Sequence, residues 1–295
     1  MDIINLKVPA KINLFLRVLD KRNDGYHNID SLMQTIDLYD ELTLERSDEI
    51  ELVCDDLPDV PNEKNLAYRA AEMVASLAYF PGVRITLKKN IPSGAGLGGG
   101  SADAAFVIRG LIKLFGLRLD PAELLVKSGK LGADIPFFLS RGQARVGGIG
   151  EIIQDCKLPL NYGVALIKPP FSVDTSTAYA ELDRHRKGKF FLTNLDKIAT
   201  LYRNFTDHTF VRIANSFIND LEEVVFSWHR ELFQVKKSLL EAGAFYAGMS
   251  GSGSSVFGLF SPDNSLDSKV RGSLEKNYLY YFCKPVLLPP ASVSN

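Results

Sequence analysis

Apolar and polar residues alternate, or β-branched residues dominate, along residues 3–8, 13–19, 41–45, 50–53 and 83–87, the period-two signature of strands. Residues 66–77 instead carry apolar side chains at three- and four-residue intervals, which predicts a helix. Helical patterns follow at 102–115 and 121–131, then short strand patterns at 144–146 and 151–153. Asp155, Lys157 and Pro159 break the pattern before a fresh strand at 162–167, so a domain boundary is expected at 156/157, dividing the chain into 1–156 and 157–295. In the second unit helical periods recur at 194–202, 221–225, 231–242 and 266–276, with strands at 255–260 and 278–286. Strands interrupted by helix pairs, without regular βαβ alternation, predict an α+β fold with helices on one sheet face.

The sharpest interruption is Pro92-Ser93-Gly94-Ala95-Gly96-Leu97-Gly98-Gly99-Gly100-Ser101, which runs straight into the apolar helix. Five glycines within residues 94–100 lose much chain entropy on folding, more than a mere turn requires. At a helix start they let the backbone approach a ligand while the first unpaired N–H groups face the same point, an anion-binding arrangement. A Walker A loop is excluded, because no Lys stands before Ser101. Gly94, Gly96 and Gly99 fit the dinucleotide spacing with Asp120 downstream, but Asp120-Pro121-Ala122-Glu123 reads as a second helix start rather than a strand end. A protein-kinase glycine loop should lie between two strands, and this one precedes a helix.

Bulk properties narrow the setting. The chain has 295 residues, 46% hydrophobic, with a net charge of -1, so nothing draws it generally to nucleic acid or anionic membranes. Any phosphate must be held by local geometry. Cys54, Cys156 and Cys283 are odd in number and have no paired metal spacing, which fits reduced thiols in a cytoplasmic protein. No apolar run approaches the ~18 residues of a membrane span, and the amino terminus lacks a signal-like pattern.

The glycine loop resembles the second motif of the superfamily of small-molecule kinases that includes galactokinase, homoserine kinase, mevalonate kinase and phosphomevalonate kinase. Pro9-Ala10-Lys11-Ile12-Asn13-Leu14 resembles its first motif, and Gly248-Met249-Ser250-Gly251-Ser252-Gly253-Ser254-Ser255 its third. Asp24-Gly25-Tyr26-His27, Asn65-Leu66 and residues 131–137 narrow the resemblance to the branch that phosphorylates 4-diphosphocytidyl-2-C-methyl-D-erythritol. It runs from Pro9 to the last strand, is strongest before Gly150, and is weak between 157 and 240 except around Thr175 to Tyr179. The resemblance implies two α+β domains, each a mixed or antiparallel sheet packed with helices, with the active site in the cleft between them. It also implies ATP with Mg²⁺, and a cytidine diphosphate-linked alcohol as acceptor.

Phosphoryl transfer to an alcohol needs in-line placement, charge neutralisation and a proton acceptor. Asp134 lies among small and apolar residues and falls where the family carries its catalytic aspartate; a turn or capping Asp is the plain alternative. Lys11, in an apolar strand start, is costly to bury without an anion and sits where the family's catalytic lysine does, the alternative being a snorkelling surface residue. Asn13, two residues on and on the same strand face, can orient the acceptor. ATP is expected along Pro92, Gly94, Gly96, Leu97, Gly98, Gly99, Gly100 and Ser101. The Ser101 hydroxyl offers a contact to Mg²⁺ or phosphate, and Asp103 acts on the metal or adenosine side, unless both are helix caps. Asn65 resembles the residue near the nucleotide base, with an N-cap as the equal alternative. Tyr26 and His27 are expected to stack on and hydrogen-bond the pyrimidine, with Thr175 and Tyr179 closing the other side. An ordinary surface or core pair is the bland reading of Tyr26 and His27. A kinase for homoserine or mevalonate, and a nucleotide-binding sensor without turnover, are the rival functions.

Overall fold

The computed structural model of the chain describes residues 2–56, 60–186, 207–262, 266 and 268–290. Its frame is one long antiparallel hairpin, β1 (Ile3–Lys21) and β2 (His27–Arg46), paired from Ile3 opposite Glu45 to Lys21 opposite His27. Register shifts fall after Pro9, Asn13 and Val18; at Pro9 the missing N–H cannot join the ladder. The other edge of β2 is shared between β4 (Val83–Lys88), along its last residues, and β5 (Gln143–Gly147), along its first. β3 (Ile50–Val53) joins β4 in parallel and β6 (Ile152–Asp155) joins β5 antiparallel, completing a mixed six-stranded sheet.

Helices α1 (Leu66–Ala75), α2 (Gly99–Phe115), α3 (Pro121–Leu131) and α4 (Ile135–Leu139) share one apolar core with this sheet. α2 packs so closely that a β-carbon on Gly110 would lie 2.2 Å from Leu44 Cδ1. Asp120 caps α3 by accepting from Glu123 N at 2.7 Å, with Pro121 at the first turn, as its sequence indicated.

A second, four-stranded antiparallel sheet is built from β7 (Gly163–Lys168), β8 (Tyr246–Met249), β9 (Val256–Phe260) and β10 (Leu279–Cys283), in the order β10-β7-β9-β8. Helices α5 (Thr175–Arg186), α6 (Asp207–Ala214), α7 (Glu222–Trp228), α8 (Arg230–Glu241) and α9 (Ser268–Glu275) accompany it. Ala10, Ile12 and Leu14 of β1 share a core cluster with Val164, Leu166, Phe257 and Leu259 of this sheet. Lys11 and Asn13, by strand alternation, therefore point to the opposite face.

Three expectations change. The separate strands at 3–8 and 13–19 are one strand, and 41–45 is the end of a strand that begins at His27. α4, α5, α6 and β8 lie where no element was expected. The helical period at 194–202 lies outside the described residues.

Candidate active site

Gly94, Gly96 and Gly98 take φ values of +60°, +73° and +70°, a left-handed conformation that suits residues without a β-carbon. A β-carbon on Gly96 would lie 2.0 Å from the Ser250 carbonyl oxygen, so the two glycine-rich loops approach at backbone distance. Ser250 Oγ locks them, donating to the Gly96 carbonyl at 2.8 Å and accepting from Asn13 N at 3.2 Å. Lys11 N donates to Leu97 O at 2.9 Å, which fixes β1 against the same loop. Asn219 holds the second loop from behind through the carbonyls of Met249 and Gly251, at 2.8 and 2.7 Å.

Gly98 is the N-cap of α2 and offers no side chain; the first helical bond is Ala102 N to Gly98 O at 2.9 Å. Among the described residues the N–H groups of Gly99, Gly100 and Ser101 have no protein acceptor, and Ser101 Oγ has no hydrogen-bond partner. These donors stand at the positive end of a 17-residue helix, an arrangement suited to an anion. Pro92 opens the loop, and α1 flanks it: a β-carbon on Gly100 would lie 3.7 Å from Leu66 Cδ1. Asn65 is the N-cap of α1, its Oδ1 accepting from Ala67 N at 2.9 Å, the capping role its sequence also offered.

Asp103 differs from expectation, because it does not line the cleft. It is buried and pairs with Lys89, Nζ to Oδ2 2.5 Å, while Lys89 also bonds the fully buried Asp40. Burial pushes the Asp103 carboxyl up to about 7 against the charge of Lys89, with Asp40 adding to the rise. Lys89 Nζ would lie 3.3 Å from a β-carbon on Gly99, so this triad supports the loop from beneath. Asp103 therefore faces Lys89 beneath the loop and not the cleft, and it does not cap α2.

Lys11 Nζ stands 3.5 Å from Asp134 Oδ2, the lysine side chain 5% and the aspartate 29% exposed. Lys11 is therefore not a snorkelling residue. Its ammonium also donates to Asn13 Oδ1 at 2.6 Å, and Asn13 Nδ2 donates to Ser31 Oγ at 2.8 Å. Asp134 occupies the N-cap position of α4 but makes no capping hydrogen bond, which removes the capping alternative. Ile135, Phe137 and Phe138 are fully buried behind it and anchor its backbone.

Lys11, Asn13, Ser101 and Asp134 line a cleft of about 880 Å³ that extends to Tyr26, His27, Thr175 and Tyr179. Tyr26 is 61% exposed on the turn between β1 and β2. The Tyr179 ring lies 5.3 Å from that of His27, and burial raises its hydroxyl pKa. Thr175 Oγ1 and Ser252 Oγ lie 2.7 Å apart and tie α5 to the second glycine loop. Asp174 is held at about 2 by hydrogen bonds from Ser176 and Thr177 at the start of α5. Sequence reasoning missed Lys89, Asn219 and Asp183, and took Ser250 only as part of the third motif. Asp183 carried a signal, four residues beyond Tyr179 and eight beyond Thr175 on one helix face.

A nucleotide cradle at a helix start, a buried lysine facing an aspartate and a second glycine loop between two α+β sheets define a small-molecule kinase of the GHMP class. Family models described as the GHMP kinases N terminal domain and GHMP kinases C terminal match residues 65–142 and 202–278. The chain is 39% identical over 286 residues to a 4-diphosphocytidyl-2-C-methyl-D-erythritol kinase of Thermodesulfovibrio yellowstonii, covering 96% of this chain and 97% of the relative. It is 41% identical over 256 residues to one of Chlorobium chlorochromatii, covering 86% and 87%. A crystal structure of 4-(cytidine 5'-diphospho)-2C-methyl-D-erythritol kinase superposes with a TM-score of 0.76 at 31% identity, over 96% of this chain and 99% of that one. The homoserine kinase of Cytophaga hutchinsonii, at 21% identity and a TM-score of 0.72 over 98% and 96%, shares the fold. The chain belongs to the 4-diphosphocytidyl-2-C-methyl-D-erythritol kinase family of the GHMP kinases.

Proposed function

We propose that this chain transfers the γ-phosphoryl group of ATP to the 2-hydroxyl of 4-diphosphocytidyl-2-C-methyl-D-erythritol, giving the 2-phosphate and ADP in the non-mevalonate route to isoprenoid precursors. The observation that carries this reading is the Lys11–Asp134 pair, 3.5 Å apart, set between the glycine cradle and the Tyr26, His27 and Tyr179 end of one cleft. The names of the relatives support the choice of acceptor.

Asp134 accepts the hydroxyl proton as the acceptor oxygen bonds to the γ-phosphorus and the bond to the β–γ bridging oxygen breaks. Lys11 keeps a positive charge beside Asp134 and the incoming oxygen, and its bond to Asn13 holds it there. The N–H groups of Gly99, Gly100 and Ser101 bind phosphate oxygens. Asn65 and Leu66 stand on the side of the loop where the nucleoside lies. Mg²⁺ fits this site as an ion carried mainly by the ATP phosphates: no cluster of three His, Cys, Asp or Glu able to hold a metal occurs among the described residues, while the unpaired Ser101 hydroxyl is a suitable hard donor. Bound there, the ion neutralises phosphate charge.

Residues 1–156 then form the ATP-binding domain and 157–295 the second domain, a division supported by one sheet built from residues 3–155 and another from 163–283. A cytoplasmic setting is supported by Cys54, Cys156 and Cys283, which form no disulfide, and no described helix is long and apolar enough to cross a membrane.

The test is a coupled assay of ADP release with the cytidyl alcohol, homoserine and mevalonate offered separately, followed by phosphorus NMR of the product. Turnover with the cytidyl alcohol alone, yielding a new phosphomonoester, is expected. Turnover with homoserine or mevalonate and none with the cytidyl alcohol would overturn the assignment.

A further inference from the structure

Arg109 lies in α2 about two turns beyond Ser101, on the same helix whose first turn carries the unpaired N–H groups. Its guanidinium is held by three carbonyls. Nε donates to Phe138 O at 3.0 Å, Nη2 to Ser140 O at 2.7 Å and Nη1 to Pro289 O at 2.7 Å. It pairs with no carboxylate among the described residues, and burial pulls its pKa down to about 10. A desolvated cation without a counter-ion is costly, so the planar fork that gathers three carbonyls is the feature to explain.

Phe138 and Ser140 belong to the end of α4, the five-residue helix whose N-cap is Asp134. A helix this short does not hold its shape by its own hydrogen bonds, and its last carbonyls lack intrahelical partners. Arg109 supplies donors for Phe138 O and for Ser140 O just beyond it, while Ser140 Oγ donates to Phe137 O at 2.6 Å. Asp134 makes no capping bond at the other end, so its place follows from the helix behind it. Phe138 also reaches forward: a β-carbon on Gly98 would lie 3.1 Å from its ring Cε2 and 3.1 Å from Lys11 Cε. Fixing Phe138 therefore fixes both the aspartate and the wall against which the lysine packs.

The third carbonyl belongs to the segment that leaves β10 and crosses to the first sheet. There Lys284 O accepts from Asp37 N at 3.0 Å, Val286 N donates to Thr35 O at 2.9 Å and Leu288 N donates to Arg141 O at 2.9 Å. Leu288 is buried in the core shared by the first sheet and its helices. One side chain thus joins the helix with the phosphate-facing end, the helix of the aspartate and an extension of the second sheet.

We propose that Arg109 is a positioning residue for phosphoryl transfer: by clamping the end of α4 to α2 it sets Asp134 at its station relative to the start of α2, and residues 284–289 brace that clamp. The proposal rests on the reading of Asp134 as proton acceptor, and adds what holds it in place.

Arg109→Met keeps an unbranched stem beside the Phe106 ring and removes the fork, whereas Arg109→Lys keeps the charge on a single nitrogen. Both are assayed well below their Tm at saturating ATP and cytidyl alcohol, with ATP calorimetry alongside. In Arg109→Met kcat should fall about ten- to a hundredfold, the range for a displacement of up to about 1 Å, while ATP affinity and the acceptor KM stay within a few-fold. Arg109→Lys should recover part of the rate. Hydrogen exchange at the amides of residues 137–140 should quicken in Arg109→Met, and that of residues 102–105 should not. In an Asp134→Asn background the same substitution should cost no more than about threefold, because no base is left to misplace. A folded Arg109→Met protein with parental kcat, or one that loses its full factor again beside Asp134→Asn, would overturn the proposal and leave Arg109 a brace of the fold. Unchanged exchange across α4 would by itself overturn the clamp. A parent inert toward the cytidyl alcohol would instead overturn the functional reading on which the proposal stands.

Discussion

Gly98→Ala probes the junction between nucleotide cradle and reacting centre with a single carbon. Gly98 has φ +70°, and a β-carbon there would stand 3.1 Å from Lys11 Cε and Cγ and 3.1 Å from Phe138 Cε2. The left-handed conformation costs a residue with a β-carbon about 1–2 kcal/mol. At roughly 2–4 °C per kcal/mol for a chain of this size, Tm should fall by about 2–8 °C. Phe138 is fully buried and packed edge-on against Phe137, with ring centroids 5.2 Å apart, so it cannot yield. The Lys11 side chain gives way instead, by a few tenths of an ångström, and moves its ammonium relative to Asp134. Since a misplacement of about 1 Å can cost roughly a hundredfold in rate, a shift of this size should lower kcat by about three- to tenfold. ATP affinity should fall as well, because Gly98 aims the N–H groups of Gly99 to Ser101. Steady-state kinetics and ATP calorimetry on the purified variant measure both effects. A lower Tm with unchanged kcat and ATP affinity would refute the coupling and reduce Gly98 to a turn residue.

Lys11→Ala should lower kcat by about 10² to 10³ through loss of charge at the reacting centre, with the fold retained by circular dichroism; a parental rate would remove Lys11 from the chemistry. Tyr26→Ala should weaken CDP binding by ~1–3 kcal/mol and leave ATP binding unchanged, because the ring is exposed on the turn and remote from the glycine cradle; equal losses for both nucleotides would indicate a folding defect. Asp103→Asn tests the buried triad: an acid raised to about 7 in the folded state favours folding below its unfolded range and loses that stability as pH rises through 7. The Tm of Asp103→Asn should therefore gain on the parent from about pH 4 to about pH 7 and hold level above, and a constant difference across that window would contradict the shift.

Elements with a clean period or a compact apolar run were legible in the chain, including the continuously buried β7 and β9, and elements of mixed pattern were not. β4 reads as strict alternation and lies with alternate residues buried, and α1 and α3 carry their caps in sequence. β2 escaped notice over residues 27–40 because it is central and buried nearly throughout, while its polar residues break any apolar run. Asp30, Ser31, Gln34 and Thr35 are affordable there only through distant partners: Arg145, the Phe15 carbonyl and the Val286 carbonyl. The motif residues Lys11, Asn13 and Asp134 were found by type and spacing, yet their meeting depends on the β1 bulge and on α4, a five-residue helix too short for periodicity to reveal. Ser250 and Asn219 act through backbone carbonyls of loops far away in sequence, and no local pattern encodes such contacts. Asp103 was placed near the nucleotide because it follows the glycine loop; Lys89, which captures it, lies 14 positions earlier.

The most direct measurement of the central claim is the rate of ADP release by Asp134→Asn with saturating ATP and the cytidyl alcohol. The amide preserves shape beside Lys11 but cannot take the hydroxyl proton, so kcat should fall by about 10² to 10⁴ while ATP affinity stays within a few-fold. A folded variant that turns over at the parental rate would contradict the assignment of Asp134 as the proton acceptor.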